Sequence, residues 1–315
     1  MTEPSSFEKI NYSIRPAKAT QRGMLMEAVG RLAPIFPLSK YQYIGFGSTF
    51  FLDFKMIHRQ YGIKRLTSVE REYEKKRRFD FNKPFSCIRM YYGTAAEFFT
   101  SQEINWDHPA IIWLDYDYRL KGSVMADIDR VVEEARPGSL LVVTVDAELP
   151  EAKTLRQLLG KEVDISKLLE IVGGRVSALA DWGLAHAYWT LASRALESTL
   201  RTRRPECEWK QLFHFRYQDG HRMLTFGGLL VDKKVKREVK QCRFKELPYF
   251  CPGKDAFEIA VPNLTEPEMH RLAQRMPNLT KRNRKPLTHL AIEDVDIDNY
   301  QLLYRYLPRF VESQA

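Results

Sequence analysis

Four short stretches of this sequence carry residues able to do chemistry, and each stands at the end of an apolar run. Gly45-Phe46-Gly47-Ser48 follows Tyr41-Gln42-Tyr43-Ile44, Glu70 closes Leu66–Val69, and Asp115-Tyr116-Asp117-Tyr118 closes Ala110–Leu114. Asp146 ends the run Ser139–Val145. Small residues after a strand let the backbone approach a ligand and leave amides near a helix start. An acid about twenty residues beyond such glycines can accept hydrogen bonds from ribose hydroxyls. Asp115 and Asp117 flank a tyrosine, so in an extended chain both carboxylates face one side. Arg119 and Lys121 lie near enough in sequence to neutralise them. His186 and His214 read as packing residues rather than bases, and Trp182, Tyr188 and Trp189 as helical core.

The elements that must position these residues alternate. A helix is expected over Ala17–Leu32, with apolar spacing through Met24, Ala28, Val29 and Leu32 between Pro16 and Pro34. The strand at Tyr41–Ile44 is followed by a helical pattern over Thr49–Tyr61, the strand Leu66–Val69 by one over Tyr73–Asn82, and Cys87–Tyr92 reads as a third strand. Ala110–Leu114, an amphipathic helix over Ser123–Ala135, and Ser139–Val145 complete the first half. Strands alternating with helices imply right-handed crossovers and a parallel sheet, and nearly continuous apolar strands fit a sheet covered on both faces. Leu155–Leu159, Ile165–Ile171 and Val176–Leu200 read as helices, an insertion over 150–205. Gln211–Arg216 and Met223–Val231 then read as an antiparallel hairpin turned at Asp219-Gly220. Further on, Thr265–Arg275 and Asp298–Tyr306 read as helices, the first opened by a Thr265-x-x-Glu268 capping box.

Composition narrows the classes. The chain has 315 residues, 44% hydrophobic, and no run of 18 apolar residues that could span a membrane. Met1–Asn11 lacks the apolar core of a signal peptide, and Cys87, Cys207, Cys242 and Cys251 make no close pair for a metal ribbon or disulfide framework. A cytoplasmic location is the expectation. Of the formal net charge of +9, residues 1–149 hold only +2. The rest gathers in Arg201, Arg203 and Arg204, in Lys233, Lys234, Lys236, Arg237 and Lys240, and in Lys281, Arg282, Arg284 and Lys285. Such clusters suit a phosphate backbone or an acidic protein, or form a solvated basic face.

With these residues in place, the order of elements over 40–232 resembles the class I S-adenosylmethionine-dependent methyltransferases. Tyr43-Ile44-Gly45-Phe46-Gly47-Ser48 is similar to the first motif of that family. Glu70 falls where the family holds the ribose hydroxyls, and Gly93-Thr94-Ala95 where a loop touches adenine. The hairpin around Asp219-Gly220 falls where the family's sheet ends in an antiparallel seventh strand, unlike the all-parallel sheet of a nicotinamide dehydrogenase. Thr49 replaces the third glycine of the loop, and Thr94 stands where an acid is often found. The resemblance implies a Rossmann-like α/β fold and S-adenosylmethionine as cofactor, bound by Gly45, Phe46, Gly47, Ser48, Glu70, Gly93 and Thr94.

For the chemistry, the resemblance admits two readings of Asp115-Tyr116-Asp117-Tyr118. It is similar to the D-x-D of metal-dependent O-methyltransferases, which makes Asp115 and Asp117 the catalytic acids. Asp115 and Asp146 are then ligands of Mg, although Ala147 stands where an asparagine is expected. It is also similar to the D-P-P-Y loop of amino-methyltransferases, without its two prolines. The first reading, methyl transfer to an oxygen acceptor, is preferred. A catalytically inactive scaffold and a nucleic-acid-binding or nucleic-acid-modifying protein are the alternatives. The expected organisation is a helical segment (1–39), the α/β domain (40–232) and a basic C-terminal extension (233–315).

Overall fold

Ala110–Leu114 is apolar at every position because it opens the central strand of a sheet buried on both faces. In the computed structural model, which describes residues 14–150, 163–280 and 292–309, that strand is β4 (Ala110–Arg119). It lies between β1 (Gln42–Gly45) and β5 (Leu140–Asp146), parallel to both. Outside β1 follow β2 (Arg65–Glu70) and β3 (Ile88–Tyr92), also parallel. On the other side, β6 (Glu208–Asp219) and β7 (His221–Val231) form the expected hairpin, with Gly220 at φ 94° in its turn. β7 inserts antiparallel beside β5, and the short β8 (Phe257–Ile259) adds an edge that sequence patterning did not indicate. The order is β3-β2-β1-β4-β5-β7-β6-β8. This is a Rossmann-like α/β sheet, mostly parallel and ending in an antiparallel hairpin.

Alternation along β4 sends side chains to two separate cores. Ile111 and Trp113 pack with α1 (Pro16–Gly30) and α2 (Leu52–Tyr61). Beyond α3 (Lys76–Asn82), the other face carries α4 (Ala95–Thr100) and α5 (Gly122–Glu134). There Ile112 and Leu114 pack with Phe98, Val124 and Ile128. After α6 (Ile165–Ile171), α7 (Gly183–Arg203) lies along α5 and closes this second core with Leu184, Tyr188 and Leu196. The helical pattern over Val176–Leu200 is thus broken, with a 3-10 turn at Val176–Leu179 and Asp181 in a left-handed conformation before α7. The expected Leu155–Leu159 helix and the Lys281–Lys285 run lie outside the described residues.

α1 is buried on almost every side. Met24, Leu25, Ala28 and Val29 are at most 2% exposed, and Met24, Leu25 and Val29 each contribute about 1.5–3 kcal/mol by leaving water. The C-terminal part clasps its outer side: the Tyr249 hydroxyl donates to the Met24 carbonyl at 2.7 Å, and Arg305 pairs with Glu27 at 2.8 Å. α8 (Lys233–Val239) buries Val235 and Val239 and leaves Lys233, Lys234, Lys236 and Arg237 exposed. α9 (Glu266–Ala273) is opened by the expected capping box, and it packs with α10 (Asp294–Leu303) around Leu272, Ile297 and Tyr300. Among the described residues no helix is long and apolar enough to cross a membrane.

Candidate active site

The strand order turns at β1 and β4, and ligands of such sheets bind in the crevice beyond the carboxyl ends there. A cavity of about 350 Å³ opens at that place. Its walls include Phe46, Gly47, Ser48, Glu70, Gly93, Thr94, Asp115, Asp117 and Asp127, with Arg22 entering from α1.

The glycine loop is anchored from below. The Gly47 N–H donates to the Ser68 hydroxyl at 2.9 Å, and the Ser48 N–H donates to Glu70 Oε1 at 2.8 Å. A Cβ on Gly47 would sit 2.5 Å from the Phe51 ring and 2.8 Å from Ser68 Oγ, so only glycine fits. Gly45 has a different task. It does not line the cavity, and a Cβ there would meet the Tyr43 hydroxyl at 2.8 Å, where that group donates to Asp53. Left-handed backbone falls on Ser48 (φ 53°) and Phe51 (φ 49°) rather than on the glycines. Phe51 is fully buried, and its packing against Phe54 at 5.6 Å holds a conformation unfavourable for a bulky residue. This turn is why the helix expected from Thr49 starts at Leu52.

Glu70 ends β2 and is 9% exposed. Burial pushes its carboxyl up to about 7, against hydrogen bonds from Ser68 Oγ at 3.0 Å and from the Ser48 N–H. Both bonds fall on Oε1, which leaves Oε2 to accept from a ligand. The Ser48 hydroxyl oxygen, also in the cavity wall, is buried without a hydrogen-bond partner. Buried polar groups are normally paired, so these atoms suit a ligand rich in hydroxyls. Next to them the Gly93 N–H donates to the Glu70 carbonyl at 2.9 Å. Thr94 caps α4, its hydroxyl accepting from the Glu97 N–H at 3.2 Å.

β4 runs five residues beyond the expected strand, so Asp115–Tyr118 are strand residues rather than a loop. Asp115 follows Ile111 and Trp113 onto the α1 side, where Lys18 Nζ meets its Oδ1 at 2.6 Å. The ammonium also donates to the Tyr217 hydroxyl at 3.3 Å and lies 4.9 Å from the Trp113 ring centroid. Burial lowers the Lys18 pKa to about 8 despite the adjacent carboxylate. Tyr116 points to the other core, donating to Asp127 at 2.6 Å, and burial raises the Asp127 carboxyl. Asp117 is exposed at the mouth, with Tyr118 beside it under Lys121 at 4.6 Å.

The residues expected to hold Mg do not make a site for it. Asp115 is closed on the Lys18 ammonium, which repels a second cation at that carboxylate. Asp146 is not in the cavity wall; its Oδ1 accepts the Glu148 N–H at 2.7 Å and its Oδ2 faces His221 at 3.3 Å. Among the described residues, no three His, Cys, Asp or Glu side chains are grouped to hold a metal.

Sequence reading missed Lys18, Arg22 and Asp53. A signal existed: Lys18, Gln21 and Arg22, at i, i+3 and i+4, form one polar stripe on a helix whose other turns are mostly apolar. His214 lies apart from the cavity, stacked on Trp189 at 4.8 Å, with burial lowering its pKa to about 4. Arg204 closes the end of α5, donating to the Ala135 carbonyl at 2.6 Å.

Among curated proteins, none matches this sequence. Among solved structures, one described as a "putative methyltransferase" from Thermobifida fusca is 12% identical over 47% of this chain and 61% of its own length, with a TM-score of 0.33. The O-methyltransferase from Bacillus cereus, solved with S-adenosylhomocysteine, is 12% identical over 66% of this chain and 80% of its own, with a TM-score of 0.39. The O-methyltransferase TomG from Streptomyces achromogenes, solved with S-adenosylmethionine, is 14% identical over 66% and 79%, also at 0.39. A family model described as "Putative O-methyltransferase" matches residues 10–315, nearly the whole length. The chain belongs to that family.

Proposed function

We propose that the cavity binds S-adenosylmethionine and that the protein transfers its methyl group to an oxygen acceptor. The observation that carries this reading is Glu70: a buried carboxylate at the end of β2, bonded to the glycine loop, with acceptor capacity left over in the cavity. Glu70 accepts from the ribose hydroxyls, Ser48 adds its hydroxyl, and Gly93, Thr94 and Ala95 border the base. Gly47 lets the loop lie close to the ligand. The bound sulfonium supplies an activated methyl group. Asp115, fixed by Lys18, accepts the hydrogen bond of the acceptor's hydroxyl, aims its oxygen, and takes its proton as the O–C bond forms, the methyl C–S bond breaks and S-adenosylhomocysteine is left. Asp117 stands at the mouth, where the acceptor enters. Because the Lys18 ammonium already balances Asp115, this arrangement works without a divalent cation.

Calorimetric titration with S-adenosylmethionine and S-adenosylhomocysteine tests the reading. Saturable binding at one site per chain is expected, nearly unchanged in Asp115→Asn. Absence of binding by a folded wild type favours the inactive scaffold.

A further inference from the structure

α1 and the residue that precedes it bring three cations towards the sheet, and two of them are matched. Arg15 pairs with Asp219 at 3.8 Å, while that carboxylate also accepts the Ala17 and Lys18 N–H groups at the start of α1. Lys18 pairs with Asp115. Arg22 is different. It is only 7% exposed, it lines the cavity, and among the described residues it makes no ion pair or hydrogen bond. The nearby carboxylates are otherwise engaged: Asp53 accepts the Tyr43 hydroxyl, and Asp115 is held by Lys18. Burial also raises the Asp53 carboxyl, so although Arg22 and Asp53 attract each other, Asp53 is a weakened counter-charge.

A guanidinium cannot shed its proton, and removing it from water without an anion is costly. Such a residue facing a cavity is explained by an anionic ligand that completes it. Its planar fork matches a carboxylate with two parallel hydrogen bonds. We infer that Arg22 is a carboxylate-binding residue: the ligand of this cavity places a carboxylate on the Arg22 guanidinium. That carboxylate has two possible sources, the amino-acid end of the methyl donor or an acidic acceptor. The first rests on the proposed function; the second does not.

The test is titration of the wild type, Arg22→Met and Arg22→Lys with three probes. These are S-adenosylhomocysteine, 5′-methylthioadenosine (the same nucleoside without the amino-acid end), and benzoate added to protein already saturated with S-adenosylhomocysteine. If the donor supplies the carboxylate, Arg22→Met loses about ten- to hundredfold in S-adenosylhomocysteine affinity and keeps its 5′-methylthioadenosine affinity. If the acceptor supplies it, both nucleosides bind as in the wild type and benzoate binding is lost. In either case the melting temperature of Arg22→Met changes little, because no close ion pair or hydrogen bond is broken and only the longer-range attraction to Asp53 is lost. Arg22→Lys, which keeps the charge without the fork, weakens the same probe several-fold and covers the case in which Arg22→Met does not fold. Wild-type affinities for all three probes in the variants overturn the inference, as does failure of the wild type to bind any carboxylate.

Discussion

The two ends of the cavity are built in different ways. The end at β2 and β3 is made from short contiguous segments: the Gly47–Ser48 turn, Ser68 with Glu70, and Gly93 with Thr94, joined by hydrogen bonds of 2.8–3.0 Å. The end at β4 is assembled from distant pieces. Lys18 and Arg22 come from α1, Asp53 from α2, Asp115 from β4, and Asp219 caps α1 across 201 residues. The first end relies on backbone shape and hydrogen bonds gathered on one carboxyl, the second on paired charges placed in low dielectric. Substitutions at the first end should therefore act on ligand binding, and those at the second on charge balance as well.

The largest expected effect is at the shape-dependent end. Gly47→Val drives side-chain atoms into Phe51 and Ser68 and should abolish S-adenosylhomocysteine binding in calorimetry. The overpacking should also cost about 1–3 kcal/mol of stability, read by urea denaturation. Retained binding would show that the loop is not the ligand's floor.

Next is the charge-dependent end. Lys18→Met leaves Asp115 without its partner, and the loss of stability should be about 2–4 kcal/mol, below the full cost of an uncompensated buried charge because Asp115 is part-exposed. The double variant Lys18→Met with Asp115→Asn should recover part of that loss. An additive pair of losses would mean that the two charges are not coupled.

Glu70 links shape to charge. Glu70→Ala should weaken S-adenosylhomocysteine binding by about 1.5–3 kcal/mol. Its pH dependence is distinctive. The folded carboxyl titrates near 7, above its ordinary value of 4.5, so between those values the folded state holds the proton that the unfolded state has lost. Stability should fall as pH rises from 4.5 to 7, by a total on the order of 3 kcal/mol, and Glu70→Gln should flatten that slope. Ribose hydroxyls favour the ionised form, so affinity in the wild type should rise through the same upper range. A pH-independent affinity would separate Glu70 from the ribose.

The smallest effect is expected at α8. Reversing Lys233, Lys234, Lys236 and Arg237 should leave S-adenosylhomocysteine affinity unchanged, because these side chains are exposed and outside the cavity wall. If the cluster contacts phosphates, nucleic-acid binding should weaken steeply with salt and lose that slope on reversal. Binding that ignores salt would leave α8 as a solvated face.

The same contrast explains what could be read in the sequence. The local placement of Glu70 and Gly47 was legible because a strand end and a tight turn fix local spacing. The hairpin was legible because Asp219-Gly220 marks its turn. Arg22 was not, because nothing near it in sequence says that the face it shares with Lys18 meets β4. The Asp115–Asp146 pairing expected for Mg failed for a related reason: the cation that Asp115 meets is supplied by a helix 97 residues earlier. Gly45, expected to touch the cofactor, instead makes room for the Tyr43–Asp53 contact, which only tertiary packing reveals.

The central claim is that one methyl donor spans both ends of the cavity, with its ribose on Glu70. A crystal structure of the wild type grown with S-adenosylhomocysteine tests it most directly. The account predicts the ribose hydroxyls within hydrogen-bond distance of the Glu70 carboxylate and the sulfur directed towards Asp115. A nucleoside bound elsewhere, or seated in this cavity with its ribose turned away from Glu70, would contradict it.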